Sequence, residues 1–371
     1  MVIAQLLGKI KPKMTIFIPA ILITYQCYSI SFWKDAKEEK SPTLENQFFP
    51  LSLLSISGIP LTAFQVFESL HRARSQKQIA ELCQHIDIVY KKLMWGKSPC
   101  ISIPWKYEFV SEHGRPLIYW EFYDPLRDAV TKKNITLILG GVHPDELTPI
   151  HFSFQFAFEL YKNPLLYKGS HVIVAPLVNP DGFLNNPPKR TNANGVDLNR
   201  NFPTSTWNKF AYKNWFNSKR RDKRKFPGYF ANSEQGTRFQ ADLIEKFNPD
   251  KVISIHAPLA FLDLDYEIPK FLKLGNLTEQ QKRAKNLALL LSKSAGNYKI
   301  RDFGIYPGSL GNYAGNERVI PTITLEMSSS NPKLVDKFWY EFSPGLYKAI
   351  KYEFKKNQFA YSSLSNTFID Q

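Results

Sequence analysis

Cysteine is nearly absent from this chain: 371 residues contain three, Cys27, Cys83 and Cys100. That is too few for a disulfide scaffold, and the spacing lacks the clustered pairs of a zinc ribbon. Cys83 falls among Ile79, Leu82, Ile86, Val89, Tyr90 and Leu93, a stripe of helical period, and reads as a small buried hydrophobe. Acidic residues are also scarce, 33 Asp+Glu against 48 Lys+Arg, for a formal net charge of +15. A basic surface suits nucleic acid, an anionic membrane or an anionic wall. No zinc-finger, RRM or G-x-x-x-x-G-K-[ST] pattern accompanies the charge, so nothing supports a nucleic-acid or nucleotide reader. The charge reads as location rather than chemistry. No internal repeat is evident.

Hydrophobic residues are plentiful, at 43% with 28 Phe and 18 Tyr, enough to fill a large core and to exclude general disorder. One run is special. Met14 to Trp33 carries no charge and follows Lys9, Lys11 and Lys13. This is the layout of an export segment, cleaved as a signal peptide or kept as a membrane anchor. The segments expected are therefore that address at 1–33, a linker and helical extension at 34–100, one domain at 101–357 and a tail at 358–371. Thr24, Tyr25 and Gln26 match poorly the small residues that precede a lipidated cysteine, so Cys27 reads as part of the apolar segment. A second apolar run, Phe48 to Phe67, is broken by Gly58 and Pro60. The localisation expected is outside the cytoplasmic membrane of a bacterium, in the periplasm or anchored to its outer face.

Beyond an amphipathic helix at 77–94, two strands at 106–110 and 117–122 flank a turn. Short aliphatic runs follow at 135–139, 172–178, 252–255 and 323–325, with helical patterns between them at 235–247, 279–296 and 333–355. This alternation predicts an α/β fold: a mixed, mostly parallel central sheet flanked by helices in a single domain. Phe152, Phe154, Phe156 and Phe158 alternate with period two, the pattern of a strand. The site described next calls for a helix there.

Residues able to do chemistry collect at strand ends. Gly140-Gly141-Val142-His143-Pro144-Asp145-Glu146 follows the 135–139 strand, and its imidazole and carboxylate, three residues apart on a turn opening a helix, can converge on one Zn²⁺. His256, 110 residues past Glu146, ends another apolar strand and can complete the set. Three ligands leave one position open, the catalytic arrangement; four would be structural. Glu326 closes the strand at 322–325, where a carboxylate needs a functional reason. Arg190, Asn199 and Arg200 lie in the dense polar segment Arg190 to Pro203.

Together GGVHPDE, NPDG (179–182), RTNANGVDLNRNFP (190–203), SIHAPL (254–259) and TLEM (324–327) resemble the zinc carboxypeptidases over about residues 105–330, in particular their branch acting on bacterial wall peptides. The resemblance implies the zinc-carboxypeptidase fold and one Zn²⁺ per chain on His143, Glu146 and His256. It implies Glu326 as general base and acid, Arg190 as polariser of the scissile carbonyl, and Asn199 and Arg200 as the grip on a substrate carboxylate. Tyr306 is the candidate substrate-covering tyrosine. Asp263 and Asp265 read either as solvated loop or as contacts to a substrate amine; Asp197 reads as a hydrogen-bonding brace. The function implied is hydrolysis of peptidoglycan stem peptides at the γ-D-glutamyl–meso-diaminopimelate bond. Two other readings stand beside it: a general or wall carboxypeptidase, and an inactive wall-binding module, against which the complete ligand set argues. Peptidoglycan-derived peptides are the partners expected, with no obligate protein partner. A basic, aromatic insertion at 204–229 reads first as a solvated loop, and otherwise as a contact to anionic wall polymer or lipid.

Overall fold

The computed structural model describes residues 63–124, 134–217, 220–266 and 277–354, with side chains from residue 72 onward. The export segment at 1–33, the linker after it, nearly all of the second apolar run and the tail at 358–371 lie outside the described residues. The chain divides after Phe67, and apart from the first residues of the helix Ala63–Lys92 every feature below lies in the unit Glu68–Gln371.

Among the described residues seven strands form one sheet: β1 (Trp120–Phe122), β2 (Ile135–Leu139), β3 (His171–Ala175), β4 (Lys251–His256), β5 (Phe261–Asp263), β6 (Ile300–Arg301) and β7 (Thr322–Glu326). Their order is β1-β3-β2-β4-β7-β5-β6. The central strands β3, β2, β4 and β7 are mutually parallel, while β1 and β5 pair antiparallel with β3 and β7. The mixed, mostly parallel sheet is as the alternation predicts. Of the hairpin expected before it, Trp120–Phe122 is regular strand and the rest pairs only at Lys106–Tyr119 and Val110–Pro116. Strands β5 and β6 are too short to leave a periodic signal, and the sequence reading misses both.

The longer helices among the described residues are α1 (Ala63–Lys92), α2 (Leu147–Lys162), α3 (Trp207–Asn217), α4 (Gln235–Phe247), α5 (Glu279–Ser294) and α6 (Val335–Lys351). Strand side chains alternate between two cores, as the pleat requires. Ile138, Val172, Val174, Ile253, Ile255, Ile323 and Leu325 pack with α1, α2, α5 and α6. Leu137, Leu139, Ile173, Ala175 and Val252 pack with α4 and with Leu310 and Tyr313. Among the described residues no helix is long and apolar enough to cross a membrane.

The phenylalanine conflict resolves as helix. Positions two apart on a helix stand about 200° around its axis, so an alternating run lines opposite faces. α2 can afford this because it is covered on several sides: Phe152 packs on Trp339 and Phe156 on Tyr347, both of α6, while Phe154 meets Tyr90 of α1 and Trp105. A helix that is apolar nearly all round is one buried nearly all round.

The reading of Cys83 is corrected. It is buried on a helix, as expected, but it forms a disulfide with Cys100, closing a separation of 17 residues. Two of only three cysteines thus staple the end of α1 to the helical turn Pro99–Ser102. Composition could not show this, because a single bridge is a matter of proximity and not of count.

Candidate active site

The strand order places the site. The chain leaves β2 toward β3 on one side, and β4 lies on the other, so the ends of β2 and β4 flank the point where strand order reverses; ligands of open α/β sheets bind there. His143 and Glu146 sit in the turn leaving β2, and His256 is the last residue of β4. Gly140 and Gly141 make that turn possible. A Cβ on Gly140 would lie 2.2 Å from Ser153 Oγ of α2, and Gly141 has φ +61° with Leu177 against it.

His143 Nδ1 lies 3.0 Å from Glu146 Oε1 and 3.0 Å from His256 Nδ1, and His256 Nδ1 lies 2.9 Å from Glu146 Oε2. All three residues are buried, and theirs is the one three-donor cluster found among the described residues. The outward nitrogens are occupied: His143 Nε2 is 3.0 Å from Asp197 Oδ1, and His256 Nε2 is 2.9 Å from Ser254 Oγ. A carboxylate only accepts, so His143 donates to Asp197 from Nε2, and Nδ1 is the atom it turns toward Glu146 and His256. Two imidazole nitrogens and a carboxylate converging within hydrogen-bond distance, in a buried place, is an arrangement a cation completes. The donor set fits Zn²⁺, with two nitrogens and one oxygen. Burial alone would raise the Glu146 carboxyl, but His143 and His256 reverse that and hold it far below the ordinary range.

Around this centre stand the other expected residues. β4 and β7 are in register with His256 opposite Glu326, so ligand and candidate base end neighbouring strands. Glu326 is pushed above its ordinary pKa by burial, helped by the charge of Glu146 and opposed by His256. The Leu259 amide donates to its Oε2 at 3.3 Å. Arg190 donates from Nη1 to Glu146 Oε1 at 3.1 Å and from Nε to Asp197 Oδ2 at 3.1 Å. Arg200 lies 4.5 Å from the ring centre of Tyr306, and Asn199 accepts from the Leu310 amide at 2.7 Å.

Asp263 and Asp265 are not solvated loop. Asp263 ends β5 buried, accepting from the Phe303 amide at 3.1 Å, and Asp265 accepts from the Thr324 hydroxyl. Burial pushes both carboxyls up, Asp265 further because Asp263 stands beside it. A Cβ on Gly311 would lie 2.6 Å from Asp265 Oδ1, so that glycine makes room for the acid.

One cavity of about 420 Å³ is lined by His143, Glu146, Arg190, Asn199, Arg200, His256, Asp263, Asp265, Tyr306 and Glu326, every site residue expected from the sequence. It is also lined by Arg224 and Lys225 of the insertion. The described residues of the insertion form α3 and a helical turn at Lys223–Lys225 rather than a plain loop, and the solvated-loop reading is corrected there. Asp197 is more than a local brace, since it holds both His143 and Arg190; its complete burial is the feature sequence could not show.

Fold and site define an α/β protein with a three-ligand zinc centre at the switch point of its sheet. The chain belongs to the zinc carboxypeptidase family, peptidase family M14, whose profile matches residues 107–364. It is 34% identical over 169 residues to murein peptide amidase A of Escherichia coli (strain K12), covering 45% of this chain and 63% of that protein. It therefore spans less than two thirds of the length of that relative. It is 33% identical over 218 residues to murein peptide amidase A of Vibrio campbellii (strain ATCC BAA-1116), covering 58% and 75%. Among solved structures, carboxypeptidase A from Helicoverpa armigera superposes with a TM-score of 0.53 at 16% identity, over 77% of this chain and 80% of that one.

Proposed function

We propose that the chain is an exported zinc peptidase that hydrolyses peptidoglycan stem peptides between γ-D-glutamate and meso-diaminopimelate. The observation that carries this reading is one cavity with the metal donors and Glu326 at its centre, and both a carboxylate grip and an acidic pair around them. Diaminopimelate presents carboxylates and a distal ammonium. Arg200 offers a planar fork for a carboxylate. Asp263 and Asp265 offer anionic charge to the ammonium, which repays the burial that raises both carboxyls. The relatives named murein peptide amidase A favour the same substrate.

Zn²⁺ on His143, Glu146 and His256 supplies Lewis acidity toward water and the scissile carbonyl. Glu326 takes a proton from the attacking water; its raised pKa suits a group that must then return that proton to the leaving amine. Arg190, held by Glu146 and Asp197, meets the negative charge that develops on the carbonyl oxygen. Asn199 and Arg200 fix the leaving residue, and Tyr306, stacked on Arg200, covers it. Two features support export: the basic-then-apolar N-terminal pattern, and the Cys83–Cys100 bridge, which persists in oxidising compartments.

The test is incubation of the purified zinc-loaded protein with defined muropeptides, products being read by mass. Release of diaminopimelate or of the peptide that begins with it is expected. Removal only of C-terminal residues from α-linked peptides would replace this reading with a general carboxypeptidase.

A further inference from the structure

The insertion carries cations to the catalytic cavity that the mechanism above does not use. Its turn Lys223–Lys225 is braced from several sides. Asp222 caps it by accepting from the Arg224 amide at 3.0 Å, and Trp215 Nε1 donates to the Asp222 carbonyl at 2.8 Å. The Asp197 amide donates to the Phe226 carbonyl at 2.8 Å, tying the insertion to the residue that holds His143. Phe226 packs edge-on against Trp215, with centroids 4.9 Å apart.

Within this frame Arg224 donates from Nη1 to Asp145 Oδ2 at 2.5 Å, and Lys225 lies 3.2 Å from Asp222 Oδ2. Both remain substantially open, with side chains 58% and 40% exposed. Exposed pairs of this kind contribute little to stability, so folding does not explain them. Asp145 uses one of the five guanidinium N–H groups and thereby fixes where the others stand. Arg224 is thus a positioned cation at the rim of the cavity, tied to the residue just before the ligand Glu146. A further cation of the same cavity, Arg200, is stacked on Tyr306. With Arg190 turned to the carbonyl oxygen, two anchored cationic positions remain on the cavity and call for two anionic groups on the ligand.

We propose that Arg224 and Lys225 form a second anion site, which holds a carboxylate on the acyl side of the scissile bond. This rests on the γ-glutamyl reading. Arg200, Tyr306 and the Asp263/Asp265 pair take the leaving diaminopimelate, which leaves the Asp145 flank for the acyl part. A glutamate joined through its γ-carboxyl keeps its α-carboxylate free, two methylenes and the α-carbon away from the scissile carbonyl. An α-linked peptide has no carboxylate in that place unless its side chain is acidic. The site would therefore select the γ-linkage itself, by pairing with the anion that linkage leaves behind.

The experiment compares two substrate pairs. One is a γ-D-glutamyl-diaminopimelate peptide with the α-carboxylate free or amidated; the other is an α-linked peptide with Glu or Gln before its C-terminal residue. For the wild type, kcat/KM for the free acid is expected to exceed that for the amide at least about tenfold, carried by KM. In the Arg224→Ala/Lys225→Ala variant the two members should be cleaved within about twofold of one another, while the rate on the amide is retained. An unchanged preference in the variant, or equal loss on both members, overturns the site. If the γ-linked pair is cleaved without preference, the γ-glutamyl reading stands and the anion site falls. If only the α-linked pair is cleaved, the γ-glutamyl reading falls, and a missing Glu-over-Gln preference removes the site as well. Calorimetric affinities of the same four peptides for the zinc-loaded Glu326→Gln variant repeat the comparison without turnover, so loss of the preference there counts against the site even in an inactive preparation.

Discussion

His256 and Glu326 face each other across the β4–β7 pair as the terminal residues of adjacent parallel strands. One is a metal donor and the other is not, so the two should separate experimentally. His256→Ala removes one donor of three, and zinc content and activity should fall together. Glu326→Gln keeps shape and all three donors but cannot accept a proton. Zinc should stay stoichiometric while kcat drops by at least about 10². Metal analysis beside turnover decides the matter; near-normal turnover in Glu326→Gln would mean that another base operates.

Asp197 touches no expected substrate, yet it orients His143 and Arg190 together. Asp197→Asn keeps the volume but loses the charge that fixes the His143 tautomer. Zinc affinity, measured by chelator competition, should weaken by about 10- to 100-fold, as for other partners of metal-bound imidazoles. Unchanged affinity would show that Asp197 serves only Arg190.

How much of this is legible in the sequence follows particular residues. His256 and Glu326 can be read because each ends an apolar strand, and His143 and Glu146 because they follow one closely, where polar residues interrupt a strong local pattern; the 235–247 helix is readable to the residue for the same reason of periodicity. Strands β5 and β6, at three and two residues, are set by pairing with distant β7 and with each other, which local pattern does not encode. The α2 phenylalanines misdirect because their period reflects cover from both α1 and α6. Arg224 is illegible for a related reason. Within Lys219 to Lys225 it is one cation of six, and only its contact with Asp145, 79 positions earlier, singles it out.

The Cys83–Cys100 bridge closes 17 residues between α1 and the domain. A loop of that size is worth about 3 kcal/mol through restriction of the unfolded chain. Reduction, or the Cys83→Ala/Cys100→Ala variant, should lower the melting temperature by about 5 °C or more. Both thiols should resist labelling until the protein is reduced. Immediate labelling of either would show the bridge unformed.

Arg200 should matter most for substrates ending in a free carboxylate. Its guanidinium matches a carboxylate bidentately, which a point charge does not. Arg200→Ala should reduce kcat/KM for a peptide ending in diaminopimelate by about 2 kcal/mol or more, with zinc unchanged. Amidating that carboxylate should weaken cleavage by the wild type to a similar degree. Equal cleavage of the free and amidated forms would remove Arg200 as the anchor.

Asp265 contributes a loss of stability with rising pH. Burial, and then the charge of Asp263, raise its carboxyl from 3.8 to about 8 in the folded state. Between those values the folded protein binds a proton that the unfolded chain has released. Stability from this group is therefore full below the unfolded pKa and is lost as pH rises toward the folded one. Free of ligand, the protein should lose melting temperature between about pH 5 and pH 8. Asp265→Asn, which carries no charge to bury, should flatten that slope and raise the melting temperature at pH 8 by about 3 °C or more. The same variant should bind substrates bearing an ammonium more weakly, because the charge that costs stability is the one that meets the amine. An unchanged pH slope in the Asp265→Asn variant would show that Asp265 is ionised in the fold already, and that another group sets the dependence.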